Sequence, residues 1–257
     1  MTTRTKGIGM KGLIGAFSVV LLLVGCSVSE DAVFKVLEKN PARFAQVIQK
    51  AQTELRKAAQ EQQVAEEKKQ RDEELKNPKK PEIAENRAVR GDRNAPIQLV
   101  EYSDFQCPYC QRGANTVEEL RKKYGAKMSF VFKNLPLPFH PNAMPAAKRF
   151  EAIAMQSSEK AYKFHDEVFA NQKELSGDKA DKFLDATAKK VGANVEKMKK
   201  DMEGDEVKNR IAADMAEANK FGIQGTPGFV IGGVTLKGAF PIEEFDKVIQ
   251  QRGLSSN

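Results

Sequence analysis

The chain has few of the residues on which several large classes of protein depend. Its 257 residues include no tryptophan, two histidines and three cysteines. Three cysteines are too few for a fold that is held together by disulfides. The net charge is +7, but no run alternates basic and aromatic residues in the way that base stacking requires. The sequence therefore predicts no nucleic-acid partner.

The first 26 residues are typical of an export signal. A basic start is followed by an apolar run from Leu13 to Val24, which is shorter than the ~20 residues of a membrane-spanning helix. The run ends in Leu23-Val24-Gly25-Cys26, which resembles a bacterial lipobox, and an ordinary signal peptide with an incidental cysteine is the alternative. The lipobox predicts that residues 1–25 are a lipoprotein signal peptide. It also predicts that the lipid bilayer is a partner through acylated Cys26, and Ser27 favours the outer membrane.

Residues 26–81 are predicted to form a helical stalk and a linker. Residues 30–76 contain no glycine and one proline, Pro41, so a short helix should end near Asn40 and a longer one should follow. Apolar residues then recur at a spacing of four and three, at Phe44, Ile48, Ala51, Leu55 and Ala58. Such a short seam leaves two alternatives, a solvated spacer or a homo-oligomer formed through residues 30–76.

The pair of cysteines in Cys107-Pro108-Tyr109-Cys110 carries the chemistry. The pair begins a helix that runs to about Tyr124, between predicted strands at 97–102 and 127–135, with a turn from Ser103 to Gln106. A helix N-terminus stabilises a thiolate, so Cys107 is predicted to be the exposed nucleophile and Cys110 the buried resolving thiol. The alternatives for the pair are a structural disulfide and a zinc site, but zinc would need more ligands, and no metal or other cofactor is predicted. Copper(I) binding by the two thiolates remains an alternative.

Two further features belong with the cysteine pair. Glu101 interrupts the apolar strand before it; if buried, this carboxyl would have a raised pKa and could exchange a proton with Cys110, whereas a surface glutamate is the alternative. Gly225-Thr226-Pro227-Gly228 precedes a strand at 229–231, which should form a hairpin with 234–236 before a last helix. His140 and His165 could line the groove beside the cysteines, although a structural or exposed role is the alternative for each.

These motifs, in this order, resemble the DsbA-type family of thioredoxin-like proteins. The resemblance rests on Glu101 to Cys110, on the run from Lys133 to His140, and on Gly225-Thr226-Pro227. It implies an α/β, thioredoxin-like fold over residues 82–257, with a helical insert at about 141–221. It also implies that Pro227 is a cis proline opposite the cysteines, and that the backbone of Thr226 pairs with a substrate strand.

The resemblance further implies a periplasmic thiol–disulfide oxidoreductase, whose partners are exported proteins with cysteines and a membrane redox partner. Pro108 and Tyr109 are expected to tune the redox potential, and Tyr109 stands where the strongly oxidising DsbA pattern has histidine. We expect a dithiol oxidase that forms disulfide bonds. The alternatives are a DsbG-like isomerase or reductase that is oligomeric through its N-terminal helices, and a tethered chaperone or binding module without catalysis.

Overall fold

The computed structural model describes residues 29–254, so the predicted export signal and Cys26 lie outside the described residues. The chain divides into two compact units, one ending at Gln62 and the other beginning at Gln63. The helices are α1 (Glu30–Lys39), α2 (Pro41–Lys76), α3 (Pro108–Tyr124), α4 (Ala143–Ala154), α5 (Ser158–Ala170), α6 (Ala180–Lys190), α7 (Val195–Met202), α8 (Asp205–Lys220) and α9 (Ile242–Gln251). The strands are β1 (Ile97–Ser103), β2 (Met128–Asn134), β3 (Gly228–Ile231) and β4 (Val234–Lys237).

The first unit contains α1 and the first part of α2, which are separated at Asn40 as the Asn40-Pro41 pair predicts. Ser29 caps α1, because its side chain accepts a hydrogen bond from the amide of Ala32 at 3.3 Å. Proline is tolerated at the first position of a helix, where its missing N–H would have no partner in any case. Among residues 29–254, no helix has the length and apolar character that crossing a membrane requires.

The second unit is built on a four-stranded sheet in the order β2-β1-β3-β4. β1 pairs in parallel with β2, and α3 connects them as the predicted crossover helix. β3 pairs antiparallel with both β1 and β4. Since β1 lies in the middle of the sheet, the turn that follows it and the N-terminus of α3 emerge at the centre of the fold.

Each face of the sheet supports its own apolar cluster, because successive residues of a strand point to opposite faces. On one face, Leu99, Phe130 and Phe229 pack with α3, α9 and the inserted helices α4 to α7. On the other face, Val100 and Tyr102 pack with the end of α8. The larger cluster lies directly beneath the cysteine pair, so the insert is part of the core that supports the site.

The last turns of α2 pack on the edge strand β4, a contact that the sequence does not predict. The buried Glu74 carboxylate accepts hydrogen bonds from the Thr235 amide at 2.7 Å and from the Thr235 hydroxyl at 2.7 Å. Gln70 also donates to the Thr235 hydroxyl, at 3.0 Å. The end of the predicted stalk therefore belongs to the second unit, where it satisfies an edge-strand N–H that would otherwise be free to pair with another chain.

Candidate active site

The cysteine pair lies where β1 turns into α3. Cys107 occupies the N-cap position with extended backbone angles, and Pro108 follows at the first helical position. The carbonyl of Cys107 accepts a hydrogen bond from the Cys110 amide at 3.0 Å, which closes the first turn. Both thiols are free, so the structure corresponds to the reduced dithiol form.

Cys107 is less exposed than predicted. Its exposed fraction is 4%, against 0% for Cys110, so the expected order holds but the prediction of an exposed Cys107 thiol is wrong. The physical reason is the loop before β3: the Thr226 carbonyl lies 3.4 Å from the Cys107 sulfur, accepts a hydrogen bond from it when the thiol is protonated, and belongs to a loop that covers the sulfur.

The two thiols differ strongly in acidity. The pKa of Cys107 is lowered to about 5, first because Cys110 donates a hydrogen bond to its sulfur, and this outweighs the burial that opposes ionisation. Thr226 and the backbone amides of Cys110 and Tyr109 act in the same direction. Burial raises the pKa of Cys110, and the hydrogen bond to Cys107 and the charge of Glu101 raise it further. The reduced pair consequently holds a thiolate at Cys107 and a thiol at Cys110 near neutral pH.

Glu101 is fully buried beneath the cysteine pair. Of the two alternatives, the buried acid is therefore confirmed and the surface glutamate is excluded. Burial raises the pKa of Glu101 to about 8, although a hydrogen bond from Ser103 favours the carboxylate. The Ser103 hydroxyl donates to the Glu101 Oε1 atom at 2.7 Å. Ser103 was predicted to start the turn but is the last residue of β1, and this position directs its side chain to the same face as Glu101.

The Thr226–Pro227 peptide bond is cis, as the resemblance implies, and the loop that contains it faces α3. Gly113 makes this close approach feasible. A Cβ atom at Gly113 would lie 3.2 Å from Pro227 Cγ and 3.2 Å from Phe229 Cζ, tighter than ordinary van der Waals contact. Gly113 was not predicted from the sequence, where its signal is a glycine inside a helical pattern, one turn after Cys110.

Asp104 organises the turn before the cysteines. Its buried carboxylate accepts hydrogen bonds from the amide of Gln106 at 2.7 Å and from the amide of Leu137 at 2.8 Å. The ring Nδ1 of His140 lies 2.8 Å from the same carboxylate. The loop with His140 is thereby fixed beside the cysteine pair. His165 is not in the groove: its ring is 2% exposed and packs among phenylalanines such as Phe105 and Phe132.

The remaining neighbours of the pair come from the helix and from the insert. Tyr109 is 55% exposed, and the Arg112 guanidinium lies 4.6 Å from the centre of its ring, a cation–π contact. Gln172 donates to the carbonyl of Cys107 at 2.8 Å from a position 65 residues along the chain. No local sequence pattern indicates that Gln172 contacts the cysteine pair, so it was not predicted from the sequence. Within residues 29–254, no three histidine, cysteine, aspartate or glutamate side chains cluster in a way that could hold a metal ion.

An asymmetric dithiol at a helix N-terminus, a buried acid below it and a cis proline beside it, on a thioredoxin-like sheet, define a thiol–disulfide oxidoreductase. The comparison with family sequence models agrees with the thioredoxin-like fold, since the family described as Thioredoxin matches residues 82–251. The chain belongs to this family.

Solved structures share the fold. A thioredoxin-like oxidoreductase from Silicibacter pomeroyi DSS-3 is 27% identical with a TM-score of 0.58, over 65% of this chain and 92% of that one. BdbD from Bacillus subtilis, at 22% identity, has a TM-score of 0.60 over 68% of this chain and 96% of its own. At that identity, the likeness to BdbD demonstrates the fold alone.

Curated relatives match over a limited part of their length. The Na(+)/H(+) antiporter NhaA 1 of Mycolicibacterium vanbaalenii is 33% identical over 153 residues, which are 58% of this chain and 24% of the antiporter. The antiporter NhaA of Herminiimonas arsenicoxydans is 31% identical over 68% of this chain and 27% of its own length. The chain thus spans about a quarter of these relatives, and their transport activity is not transferred to it.

Proposed function

We propose that this chain is a dithiol oxidase that introduces disulfides into exported proteins through Cys107 and Cys110. The observation that carries the proposal is the stabilised thiolate of Cys107, whose pKa is lowered to about 5. A stabilised thiolate favours the reduced form of the pair, so the oxidised form readily takes electrons from a substrate dithiol. Thr226 and Pro227 supply the backbone edge along which a substrate strand pairs.

The place of action in this proposal is the periplasm, with the chain attached to a membrane by lipid on Cys26. The apolar run and its terminal Cys26 support the anchor, and Ser27 favours the outer membrane. A periplasmic thioredoxin-like protein from Salmonella enterica serovar Typhimurium shares the fold. A membrane redox partner would reoxidise the pair after each turnover. Mass spectrometry of the protein from membranes tests the anchor, since diacylation or triacylation of Cys26 is the expected result.

The redox potential of the Cys107–Cys110 pair tests the direction of electron flow. We expect a value between about −210 and −165 mV, because each pKa unit of thiolate stabilisation shifts a two-electron potential by about 30 mV. The reference points are thioredoxin, with a pKa of about 7 and a potential of about −270 mV, and DsbA, with about 3.5 and about −120 mV. Equilibration with glutathione buffers gives the measurement. A potential below about −250 mV would identify a reductant instead.

Disulfide isomerisation by an oligomer is the second candidate function, and the first unit of the structure favours it. The seam residues Phe44, Ile48 and Leu55 are 42%, 41% and 71% exposed. Large apolar side chains that recur on one helix face are typical of a surface that pairs with another helix. In this alternative, a second copy of the chain covers the seam and holds two dithiol sites in one assembly.

The seam is tested by the double substitution Ile48→Lys and Leu55→Lys, with Gln60→Lys on the outer side of α2 as the matched control. The isomerase alternative expects an oligomer by light scattering in the wild type and in the control. It expects the mass of a single chain for the double variant, because two charges per helix would be desolvated in the seam. Loss of isomerisation of scrambled ribonuclease together with the oligomer would support the alternative. A wild type with the mass of a single chain would exclude it.

A further inference from the structure

The Ser103 hydroxyl occupies a buried position between two groups that exchange protons in thiol–disulfide chemistry. It donates to the Glu101 Oε1 atom at 2.7 Å. Ser103 and Glu101 are two residues apart on β1, so their side chains share one face of the strand. Their exposed fractions are 1% and 0%. The hydroxyl is therefore tied to the carboxyl in an interior position.

The Cys110 sulfur lies close to the end of β1. The amide of Asp104, directly after Ser103, donates to the Cys110 sulfur at 3.4 Å. Gly113, one turn after Cys110, is close enough to Glu101 that an added Cβ atom would lie 3.5 Å from the Oε1 atom. The Ser103 hydroxyl also favours the thiolate form of Cys110, because it lowers the pKa against the effect of burial. Ser103 is thus hydrogen-bonded to Glu101 and adjoins the residue whose amide binds the Cys110 sulfur.

Other charged groups leave this contact undisturbed. Among residues 29–254, Cys107, at the N-cap of α3, is the one ionisable group whose charge is found to act on Glu101, and the Asp104 carboxylate is hydrogen-bonded to Gln106, Leu137 and His140. The neighbours from the adjoining strands carry no charge: Phe132 and Phe229 pair with Glu101, and Asn134 pairs with Ser103. Glu101 is consequently the acid that responds to the ionisation of Cys110.

We propose that Ser103 relays a proton between the Glu101 carboxyl and the Cys110 sulfur. The relay deepens the proposed function and rests on it, since it serves thiol–disulfide exchange at the same pair. The hydroxyl can give its own proton to one neighbour while it takes a proton from the other. Ser103 is in this sense a proton-relay residue, which forms no bond with the substrate.

In the oxidising direction, a substrate thiolate attacks the Cys107 sulfur of the disulfide. The new bond joins the substrate sulfur to Cys107, the Cys107–Cys110 bond breaks, and its electron pair goes to Cys110. Ser103 then donates its proton to Cys110 and takes the proton of Glu101, which becomes a carboxylate. The second substrate thiolate displaces Cys107 as a thiolate, so the substrate loses two electrons and the cysteine pair gains them.

When Cys110 later attacks a mixed disulfide at Cys107, the proton moves back. Ser103 takes it from the Cys110 thiol and passes its own to the Glu101 carboxylate, while the leaving thiolate departs with the electron pair. The pKa of Glu101, raised to about 8 by burial, sets the pH above which the carboxylate is available. The rate of this attack should rise with pH through a midpoint near pH 8 to a plateau above about pH 9.

The test measures this attack in the full chain, with glutathione disulfide as the probe. Reduced protein is mixed with excess glutathione disulfide at pH 6 to 10, and acid quench followed by mass spectrometry separates glutathione adduct from intramolecular disulfide. Ser103→Ala is expected to lower the plateau rate of adduct resolution by about 10²-fold, the lower end for a lost proton-transfer group. Ser103→Thr keeps a hydroxyl and is expected to restore most of the rate. In a Glu101→Gln background, Ser103→Ala should add no further loss.

The pH profile separates a relay from a structural role. If Ser103 only hydrogen bonds Glu101, its removal moves the apparent pKa upward and leaves the plateau rate unchanged, which overturns the relay. An equal loss from Ser103→Ala with and without Glu101 also overturns it. Failure of the proposed function looks different: a redox potential below about −250 mV would exclude an oxidase, whereas the effect of Ser103→Ala on adduct resolution would still be measurable. Urea unfolding of each variant identifies any loss of rate that comes from loss of fold.

Discussion

Replacement of Cys107 by serine is expected to abolish both oxidation of substrate dithiols and reduction of disulfides. Cys107 holds the thiolate that attacks or is attacked, and its pKa is lowered to about 5. A serine hydroxyl at this position forms no disulfide, and the remaining Cys110 is fully buried with a raised pKa. The expected rates in the insulin-reduction and reduced-ribonuclease assays are those of the uncatalysed reactions.

Cys110→Ser is the matched control for this prediction. It keeps the Cys107 nucleophile and removes the resolving thiol, so mixed disulfides with substrate proteins should accumulate rather than turn over. Nonreducing gels are expected to show covalent adducts for Cys110→Ser and none for Cys107→Ser. Activity retained by Cys107→Ser, or adducts formed through Cys110 in that variant, would contradict the assignment of the nucleophile.

The strands and helices follow from the sequence because they are encoded locally. The break at Asn40-Pro41 and the crossover helix after Cys107 both come from residues whose backbone preferences act within a few positions. The thioredoxin-like class was implied by the resemblance to the DsbA-type family, which rests on the order of Glu101, the cysteine pair and Gly225-Thr226-Pro227 along the chain.

The support of the site is not predictable in this way, because it consists of contacts between distant residues. Gln172 reaches the Cys107 carbonyl, and Glu74 reaches Thr235 across 161 positions. The low exposure of Cys107 has the same origin, since the Thr226 loop that covers the sulfur lies 119 residues further along the chain. One sequence supplies no information on which of many glutamines or glutamates meets a given partner.

The free energy of unfolding of the reduced protein should depend on pH through Glu101 and Cys107, with opposite signs. Single substitutions should separate the two effects. The pKa of Glu101 rises from 4.5 to about 8 on folding, so its contribution is fully present below about pH 4.5 and is lost as the pH rises to about 8. The pKa of Cys107 falls from 9.0 to about 5, so its contribution is present above about pH 9 and is lost as the pH falls to about 5. Each effect amounts to about 3 to 4 kcal/mol between pH 5 and pH 8, with opposite signs.

Glu101→Gln is therefore expected to make the reduced protein more stable at pH 8 than at pH 5, relative to the wild type, by about 3 to 4 kcal/mol. Cys107→Ser should make the reduced protein less stable at pH 8 than at pH 5, relative to the wild type, by a similar amount. This effect should be somewhat smaller, because the variant also loses the Cys107 charge that contributes to the raised pKa of Glu101. Urea unfolding followed by tyrosine fluorescence measures both. All four tyrosines lie after Gln62, so the signal reports the unit that contains the site.

Comparison with the wild type removes the other buried ionisable groups from this measurement, because Glu151, Asp214 and His165 are present in every variant. Oxidation provides an independent check, since a Cys107–Cys110 disulfide has no thiolate to titrate. The oxidised wild type should lose stability between pH 5 and pH 8, as the reduced Cys107→Ser variant does. If Glu101→Gln leaves the pH dependence of the reduced protein unchanged, Glu101 titrates near its ordinary pKa, and the buried acid on which the Ser103 relay depends is absent.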